Sequence, residues 1–587
     1  MKAFFKTFFA NLLALVVFGI IAFFIFFGFL ATLTSSEKPR IGRNGVLVLD
    51  LSTHFKEQAN DNPVNSLVNG IENDGPSLYD LIRILHHAKS DSAIKGIYIL
   101  CGRNANGFAA SEELRRAIRD FRDGRKFVIA YGEAISQGGY YVGSAADKIY
   151  CHPQGGIDWT GFSVDLMFFK GTLDRLEIKP EIFYAGKFKS ATEPFRETKM
   201  TDANRLQTSV WLGSIYAHFL EAAADARGTD TASLHRLATD GTIRTAHDAF
   251  ANNLVDGLKY DDEVKDELLH RLKLKRDDKI NFVNLNEYAK AATWRKFGGT
   301  DRIAIVYANG EIVSGNGESD QVGSDAFRIL LRKLRQDNDI KAIVFRVNSP
   351  GGSSLASDVI WREISLTRKR KPVVVSMGDV AASGGYYISC NADSVFADAN
   401  TITGSIGVFS MLVNVQSFFG NKLGITFDGV KTAPFADMGT ASRPLTEPEK
   451  QFMQAAVDST YFTFTSRVAD GRSKERAYID SIGQGRVWTG SYGLEIGLVD
   501  RIGTLQDAVN CAARMAKMKE YRVKEYPEKK NFLEQLLKSY KKSFGQTMMA
   551  DQLGNDQLQL LKQLQQIKPM ATGEPQARVP FLIRQKY

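Results

Sequence analysis

Ser383 is the residue whose neighbours best suit a nucleophile. It lies in Ala381-Ala382-Ser383-Gly384-Gly385-Tyr386, where small residues flank the serine on both sides. This pattern predicts a tight turn from a strand into a helix, which exposes the serine Oγ and leaves backbone N–H groups unpaired at the start of the helix. Acyl transfer needs a nucleophile beside donors for a developing oxyanion. The alternative is a serine that only caps the following helix.

A second glycine-rich turn has the sequence Asn348-Ser349-Pro350-Gly351-Gly352-Ser353. It directly follows an apolar run that ends at Val347. Glycine lets the backbone approach a ligand closely. We therefore expect one N–H group from this turn and one from the Ser383 turn to face the same carbonyl oxygen. A plain chain reversal is the alternative.

A serine nucleophile also needs a base, and the distribution of histidines restricts the choice. The last of the eight histidines is His270, so a histidine base would have to come from the first half of the chain. Lysine is the other candidate, and the segment Gly186-Lys187-Phe188-Lys189-Ser190-Ala191 offers two. A lysine base must be neutral near physiological pH, so burial or nearby cations must lower its pKa. The spacing does not separate Lys187 from Lys189, and both also fit an exposed loop.

Ser405 is a candidate third member of such a site. It lies in Thr403-Gly404-Ser405-Ile406-Gly407, shortly after the Ser383 turn. Its hydroxyl would hydrogen-bond the lysine amine and orient it, the role that a third residue plays in other catalytic triads. An ordinary turn serine is the alternative.

The chain contains an internal duplication, and the two copies differ at these candidate positions. Ile94-Lys95-Gly96-Ile97 corresponds to Ile340-Lys341-Ala342-Ile343 at an offset of 246 residues, which holds without a gap from about Leu81 to Ser163. At this offset Gln137 stands opposite Ser383, and the second copy has no lysine opposite Lys189. One copy thus has the lysine and the other has the serine, as expected if the two halves share one site.

Each copy alternates short apolar runs with amphipathic patterns. In the second copy the pattern predicts strands over 303–307, 342–347 and 373–377, and helices over 326–334 and 357–367. Buried strands separated by helices are typical of an α/β fold with a parallel sheet. Near the C-terminus, Phe532 to Phe544 has amphipathic spacing with several lysines, which fits a solvated helix or a helix on a membrane or partner.

The N-terminal segment predicts a membrane anchor. No charged residue occurs from Thr7 to Ser36, and the centre of this run is almost wholly aliphatic and aromatic. A bilayer-spanning helix needs about 20 apolar residues, whereas the apolar part of a cleavable signal has only about 7–15. We therefore expect one uncleaved span. Basic residues lie on both sides of it, so charge does not decide the orientation.

Composition excludes several classes of protein. The chain has 587 residues, 44% of them hydrophobic and 24% charged, which is ordinary for globular domains and argues against a disordered, collagen-like or multi-span membrane chain. The net charge of +9 is small for this length, and no basic stripe with interleaved aromatics suggests nucleic acid. The four cysteines form no CxxC pair, and no phosphate loop or cluster of metal ligands is visible, so no cofactor is expected.

Taken together, these motifs resemble the signal peptide peptidase A family, membrane-anchored serine proteases, in its long duplicated form. The resemblance runs from the anchor to about residue 515. It implies that Ser383 is the nucleophile, that Lys189 is the general base and that Ser405 orients the lysine. It makes Gly352 and Gly384 the candidate backbone donors to the oxyanion. It further implies a Clp-protease- or crotonase-like ββα superhelix in each half.

The resemblance also implies a location and partners. It predicts a bacterial inner-membrane protein, anchored through residues 8–33, with its catalytic domains on the periplasmic side. It implies a homotetramer that degrades remnant signal peptides and other apolar peptides. Two alternatives remain, an acyl-CoA enzyme of the crotonase type and a non-enzymatic membrane scaffold. The predicted divisions are an anchor at 1–36, a first repeat at 37–257, a linker at 258–300, a second repeat at 301–515 and a basic tail at 516–587.

Overall fold

The computed structural model describes residues 2–34, 39, 41–58, 75–292, 294, 299–318, 320–528 and 573–579. The predicted amphipathic segment 532–544 lies outside these residues. Helix α1 spans Lys2–Thr34, and its stretch Lys6–Ile25 has a mean hydropathy of 2.7 with none of it buried against the rest of the chain. Among the described residues it is the one helix long and apolar enough to cross a membrane.

The first copy forms a parallel sheet. Its strands are β1 Gly45–Asp50, β2 Ile94–Leu100, β3 Phe127–Ile135, β4 Lys148–Ile157, β5 Lys179–Ala185, β6 Gly257–Leu258 and β7 Asn281–Asn284. All of these except β5 pair in the order β6-β4-β3-β2-β1-β7, and every pairing is parallel. The helices are α2 Leu78–Ser90, α3 Phe108–Asp123, α4 Gln137–Gly143, α5 Lys170–Arg175, α6 Glu193–Arg196, α7 Asp202–Arg227, α8 Thr231–Thr239, α9 Ala246–Ala251, α10 Asp261–Leu272 and α11 Leu285–Ala291.

The second copy repeats this arrangement. Its strands are β8 Arg302–Asn309, β9 Glu311–Val313, β10 Gln321–Gly323, β11 Ile340–Ser349, β12 Gly351–Ser353, β13 Val373–Ala382, β14 Ser394–Ala397, β15 Ile402–Gly404, β16 Val408–Asn414, β17 Val487–Thr489, β18 Arg501–Ile502, β19 Arg522–Tyr526 and β20 Gln576–Arg578. The helices are α12 Ser324–Gln336, α13 Ser354–Arg368, α14 Gly384–Tyr387, α15 Glu447–Arg472, α16 Arg476–Ile482, α17 Gly490–Glu495 and α18 Leu505–Met515.

The second sheet repeats the order of the central strands of the first, as the duplication predicts, and all of its pairings are parallel except that of the edge strand β17 with β15. The second sheet runs β17-β15-β13-β11-β8-β19, and β14 also pairs with β13. Its part β13-β11-β8 corresponds to β3-β2-β1 of the first sheet, and β14 and β15 together cover the positions that correspond to β4. Each sheet has its own hydrophobic core, because the buried residues of its central strands are mostly apolar and pack against helices. The expected α/β class with parallel sheets is confirmed, whereas the ββα superhelix stays a prediction.

A third sheet combines strands from both copies. Its order is β10-β9-β12-β20-β16-β5. Strand β5 of the first copy pairs antiparallel with β16 of the second along its whole length, from Lys179 opposite Asn414 to Ala185 opposite Val408. The segment that follows β5 at Ala185 therefore lies against the second copy. This segment carries both candidate lysines.

Two segments outside the predicted repeats belong to the sheets. Residues 258–300, predicted as a linker, contain α10, β7 and α11, and β7 pairs with β1 at the edge of the first sheet. In the predicted tail, β19 pairs with β8 at the edge of the second sheet. In both places the chain completes a sheet edge.

Candidate active site

Ser383 occupies the strand-to-helix turn that its sequence predicts. It lies between the end of β13 and the start of α14, with φ 56° and ψ −115°. A positive φ is unfavourable for a residue with a β-carbon, and strained positions of this kind concentrate at functional sites. The side chain makes no capping hydrogen bond to α14, so the capping alternative is not supported. In the first copy, Ser136 does cap the corresponding helix by accepting from Gly139 N.

Lys189 reaches Ser383 from the other copy. The chain leaves β5, turns at Gly186 with φ 111°, and places Lys189 directly before a 3₁₀ turn at Ser190–Thr192. Nζ of Lys189 donates to Ser383 Oγ at 2.8 Å, and the residue is 2% exposed. Burial lowers the pKa of Lys189 well below its ordinary value, which favours the neutral amine.

Lys187 lies in a different environment from Lys189. Its side chain is exposed, and Nζ stands 5.8 Å from the centre of the Phe188 ring. Its backbone N–H donates to Gln484 Oε1 at 3.2 Å. Of the two lysines that the sequence left open, Lys189 is therefore the one in contact with the candidate nucleophile.

Ser405 contacts the same amine from a second direction. Nζ of Lys189 donates to Ser405 Oγ at 3.2 Å, and Ser405 O lies at 3.5 Å. Ser405 follows β15 with φ 50°, and its backbone N–H donates to Arg486 O at 2.7 Å. Ser383 and Ser405 are both buried, so the lysine amine lies between two hydroxyl groups away from bulk water. The structure thus brings together the three side chains expected to carry the chemistry.

The glycine turn meets the Ser383 turn at Gly351. A β-carbon added to Gly351 would stand 2.7 Å from Gly384 N, and Gly351 has φ 97°, so a side chain is disfavoured there by both conformation and space. A β-carbon on Gly352 would instead meet Ile312 O at 2.0 Å. The structure therefore brings Gly384 against Gly351, a residue that was not singled out, while Gly352 packs against the neighbouring strand. The oxyanion role of Gly352 and Gly384 stays a prediction.

Among the described residues, no group of three or more His, Cys, Asp or Glu side chains is placed to hold a metal ion. The hydrogen-bonded contacts that define the site are those between hydroxyl groups and an amine.

The chain is similar to known peptidases. Peptidase family S49 matches residues 120–275 and 365–519, once in each copy. The chain belongs to peptidase family S49. Protease 4 of Salmonella typhi is 37% identical over 475 residues, which cover 79% of this chain and 76% of that protein. A putative signal peptide peptidase SppA of Enterococcus faecium is 33% identical over 231 residues, covering 38% of this chain and 67% of that protein.

A solved structure of a ClpP1 N165D mutant from Listeria monocytogenes also matches, with 16% identity over 35% of this chain and 94% of that one. Its TM-score of 0.24 is too low to support an argument about this chain. The family match makes this S49 protein a serine protease, which favours the peptidase over the acyl-CoA enzyme and the scaffold.

The loop that presents Lys189 is held by residues that the motifs did not reveal. Gln207, on α7, donates through Nε2 to Phe188 O at 3.0 Å and to Ser190 Oγ at 3.1 Å, and its Oε1 accepts from Val487 N at 3.1 Å. Gly485 packs directly on the lysine, since a β-carbon there would lie 2.7 Å from the Lys189 backbone. No local pattern marks these residues, because each acts on a segment that is distant in the sequence.

Proposed function

We propose that this S49 peptidase cleaves peptide bonds with Ser383 as nucleophile and Lys189 as general base. The observation that carries the proposal is the 2.8 Å contact between Lys189 Nζ and Ser383 Oγ, made by a fully buried lysine. A hydrogen-bonded nucleophile and base, with a third group orienting the base, is the arrangement by which a serine is activated.

The proposed mechanism uses these contacts. Neutral Lys189 takes the Ser383 proton as Oγ attacks the peptide carbonyl carbon. Backbone N–H groups of Gly384 and of the Gly351-Gly352 turn are the proposed donors to the oxyanion. Lys189 then gives its proton to the leaving amine, and a water molecule hydrolyses the acyl-enzyme in the same way. Ser405 accepts a hydrogen bond from the amine and orients it.

We also propose that α1 anchors the chain through residues 8–33 in a bacterial inner membrane, with the two copies on the periplasmic side. The expected substrates are remnant signal peptides and other apolar peptides, because the anchor keeps the site close to lipid. A homotetramer is the proposed assembly. The unburied apolar helix and the bacterial Protease 4 relative support the membrane location.

A serine-reactive phosphonate probe tests which serine is the nucleophile. We expect the full chain in detergent to be labelled on Ser383 and the Ser383→Ala variant to lose all labelling. Ser405→Ala is the matched control, because it removes the other hydroxyl that contacts Lys189. It should still be labelled at Ser383, at a rate reduced on the order of 10²-fold because the base is less well oriented. Labelling that persists in Ser383→Ala would refute the assignment.

The pH dependence of hydrolysis tests the state of the lysine. Because burial lowers the pKa of Lys189, we expect kcat/KM for an uncharged peptide to fall as the pH drops through that lowered pKa. Below it, Nζ is protonated and cannot accept the Ser383 proton; above it, the rate is constant. The pH–rate profile of the full chain measures this, and Lys187→Ala should show the same acid limb. If kcat/KM instead falls at the ordinary pKa of lysine, the result would contradict a buried, neutral base.

A further inference from the structure

Arg486 is stacked between two aromatic rings beside the candidate active site. Its guanidinium carbon stands 5.0 Å from the centre of the Phe188 ring and 4.2 Å from the centre of the Trp488 ring. Phe188 belongs to the first copy and directly precedes Lys189, whereas Arg486 and Trp488 belong to the second copy. A cation over an aromatic face is attracted by the ring. The half-buried arginine therefore connects the two copies next to the lysine.

The Phe188 ring belongs to a stretch of backbone that is held on both sides. The Phe188 N–H donates to Gln484 O at 2.7 Å, and Phe188 O accepts from Gln207 Nε2 at 3.0 Å. The next side chain, that of Lys189, reaches the candidate nucleophile, while the Phe188 ring meets Arg486. The contact with Arg486 therefore keeps the lysine loop against the second copy.

The Trp488 ring packs on the segment that carries Ser405. A β-carbon on Gly404 would stand 2.8 Å from Trp488 Cδ1, so the ring lies directly on this glycine. The indole N–H donates to Ile482 O at 3.0 Å. The backbone of Arg486 contacts the same segment, because its carbonyl accepts from Ser405 N at 2.7 Å. Arg486 thus contacts the Ser405 segment through its backbone and, by way of the indole ring, through its side chain.

Hydrogen bonding does not explain the position of this guanidinium. Among the described residues, the Nε atom of Arg486 is buried and has no hydrogen-bond partner. A buried donor without a partner costs free energy, and such costs are most often found where a residue serves function. The two ring faces take the place of a hydrogen-bond partner, so the contact to be explained is the one between the rings and the cation.

We propose that Arg486 is a positioning residue for the general base: stacked between the two rings, it holds the Lys189 loop against the Ser405 segment and keeps water away from the amine. The proposal rests on the proposed function of Ser383 and Lys189. Arg486 acts through Lys189 and takes no part in proton transfer. Because burial is the cause of the low pKa of Lys189, a loop that moves away should raise that pKa by admitting water.

Arg486→Met tests the proposal in the full chain in detergent. Methionine keeps an unbranched apolar side chain and removes the planar cation. We expect kcat for an uncharged fluorogenic peptide to fall about tenfold, the size expected from losing the ring contacts of a partly buried cation, with KM unchanged. The acid limb of the pH–rate profile should move to higher pH, since a hydrated Lys189 titrates closer to its ordinary pKa. Arg486→Lys, which restores a cation without the planar group, should recover part of the rate.

The matched control is Arg83→Met, which removes a similar stacked cation elsewhere. Arg83 lies on α2, outside the segments that carry the site, and its guanidinium carbon stands 5.3 Å from the centre of the Tyr79 ring and 4.9 Å from that of Trp294. This variant should keep the wild-type kcat and acid limb. Equal shifts of the acid limb in the two variants would refute the proposal, because a general loosening of the fold would then hydrate the lysine.

Phe188→Leu tests whether Arg486 acts through the lysine loop, and it provides a second variant if Arg486→Met does not fold. Leucine stays apolar but has no ring face for the cation. We expect this variant to move the acid limb in the same direction. The double variant should be no slower than Arg486→Met alone, because the contact with Phe188 is already lost there. Losses that add, or an acid limb that stays in place in Phe188→Leu, would contradict action through this loop.

The outcomes separate this proposal from the proposed function. If Lys189→Met is inactive and Ser383→Ala is unlabelled while Arg486→Met keeps the wild-type acid limb, the peptidase mechanism stands and the positioning role is refuted. A rise in KM with unchanged kcat would also refute that role, because Arg486 would then act on substrate binding. If Lys189→Met keeps full activity, both proposals fail.

Discussion

Replacing Lys189 with methionine should lower kcat/KM by about 10⁴-fold, the size of effect seen when one member of a catalytic triad is removed. Methionine keeps most of the apolar volume in a site where the lysine is 2% exposed, so the fold should be retained. The loss arises because Lys189 Nζ is the basic group that hydrogen-bonds Ser383 Oγ among the described residues. Steady-state hydrolysis of a fluorogenic peptide by the full chain in detergent measures it.

The matched control for Lys189→Met is Lys187→Met, two positions earlier on the same loop. Lys187 is exposed, and within the part of the chain that the structure describes its Nζ contacts the Phe188 ring and not Ser383, so hydrolysis should remain close to wild type. Equal losses in both variants would mean that the loop as a whole, and not one amine, supports activity. Full activity in Lys189→Met would remove the general base from the mechanism.

The sequence alone could predict that the two copies share the candidate site. The reason is that each residue of one copy can be compared with its counterpart in the other. Ser383 has glutamine as its counterpart, and the second copy has no lysine opposite Lys189, so a shared site was the simplest interpretation. The central strands and helices of the second copy could likewise be predicted from the sequence. For example, the apolar run 373–377 lies within β13 and the helical pattern 357–367 lies within α13.

The sequence did not separate the two lysines, and the geometry explains why. Residues two apart lie on the same side of an extended chain, so alternation gives Lys187 and Lys189 the same direction. A turn over residues 186–189, closed by the Lys189 N–H donating to Gly186 O at 3.1 Å, breaks this alternation. Only the packing of Gly485 and Gln207 from distant segments buries one lysine and leaves the other exposed.

The third sheet was also beyond prediction. It joins strands at 179–185, 311–313, 321–323, 351–353, 408–414 and 576–578, several of them only three residues long. Such short strands have no period to detect, and their pairing depends on which segments the two cores bring together. For the same reason the sequence does not distinguish Gly352 from Gly351, which lies against Gly384.

Replacing Arg346 with methionine should destabilise the chain by about 3–5 kcal/mol, since it removes one partner from a buried ion pair. Arg346, on β11 of the second copy, is 1% exposed and lies between two glutamates of the first copy. It donates to both oxygens of Glu57 at 2.9 Å and forms an ion pair with Glu113 at 2.8 Å. Its other N–H groups donate to Ser376 Oγ and to Met377 O.

The expected loss is large because two carboxylates of the first copy would remain buried without a cation. Burial already raises the pKa of Glu113, with Arg346 opposing that shift. In the variant the pKa of Glu113 should rise further, so acidification neutralises the carboxylate and recovers part of the lost stability. The difference from wild type should therefore shrink as the pH falls from neutral to mildly acidic values.

Denaturant unfolding of the full chain at both pH values measures this effect. Arg328→Met is the control, because Arg328 is 42% exposed and its ion pair with Asp325 lies within one helix, where changes of about 0.5 kcal/mol are expected. Similar losses in the two variants, or an Arg346→Met deficit that does not change with pH, would contradict a role for this cluster in joining the copies. If the cluster does join them, Arg346→Met should also slow hydrolysis, since Lys189 and Ser383 meet only when the two copies are held together.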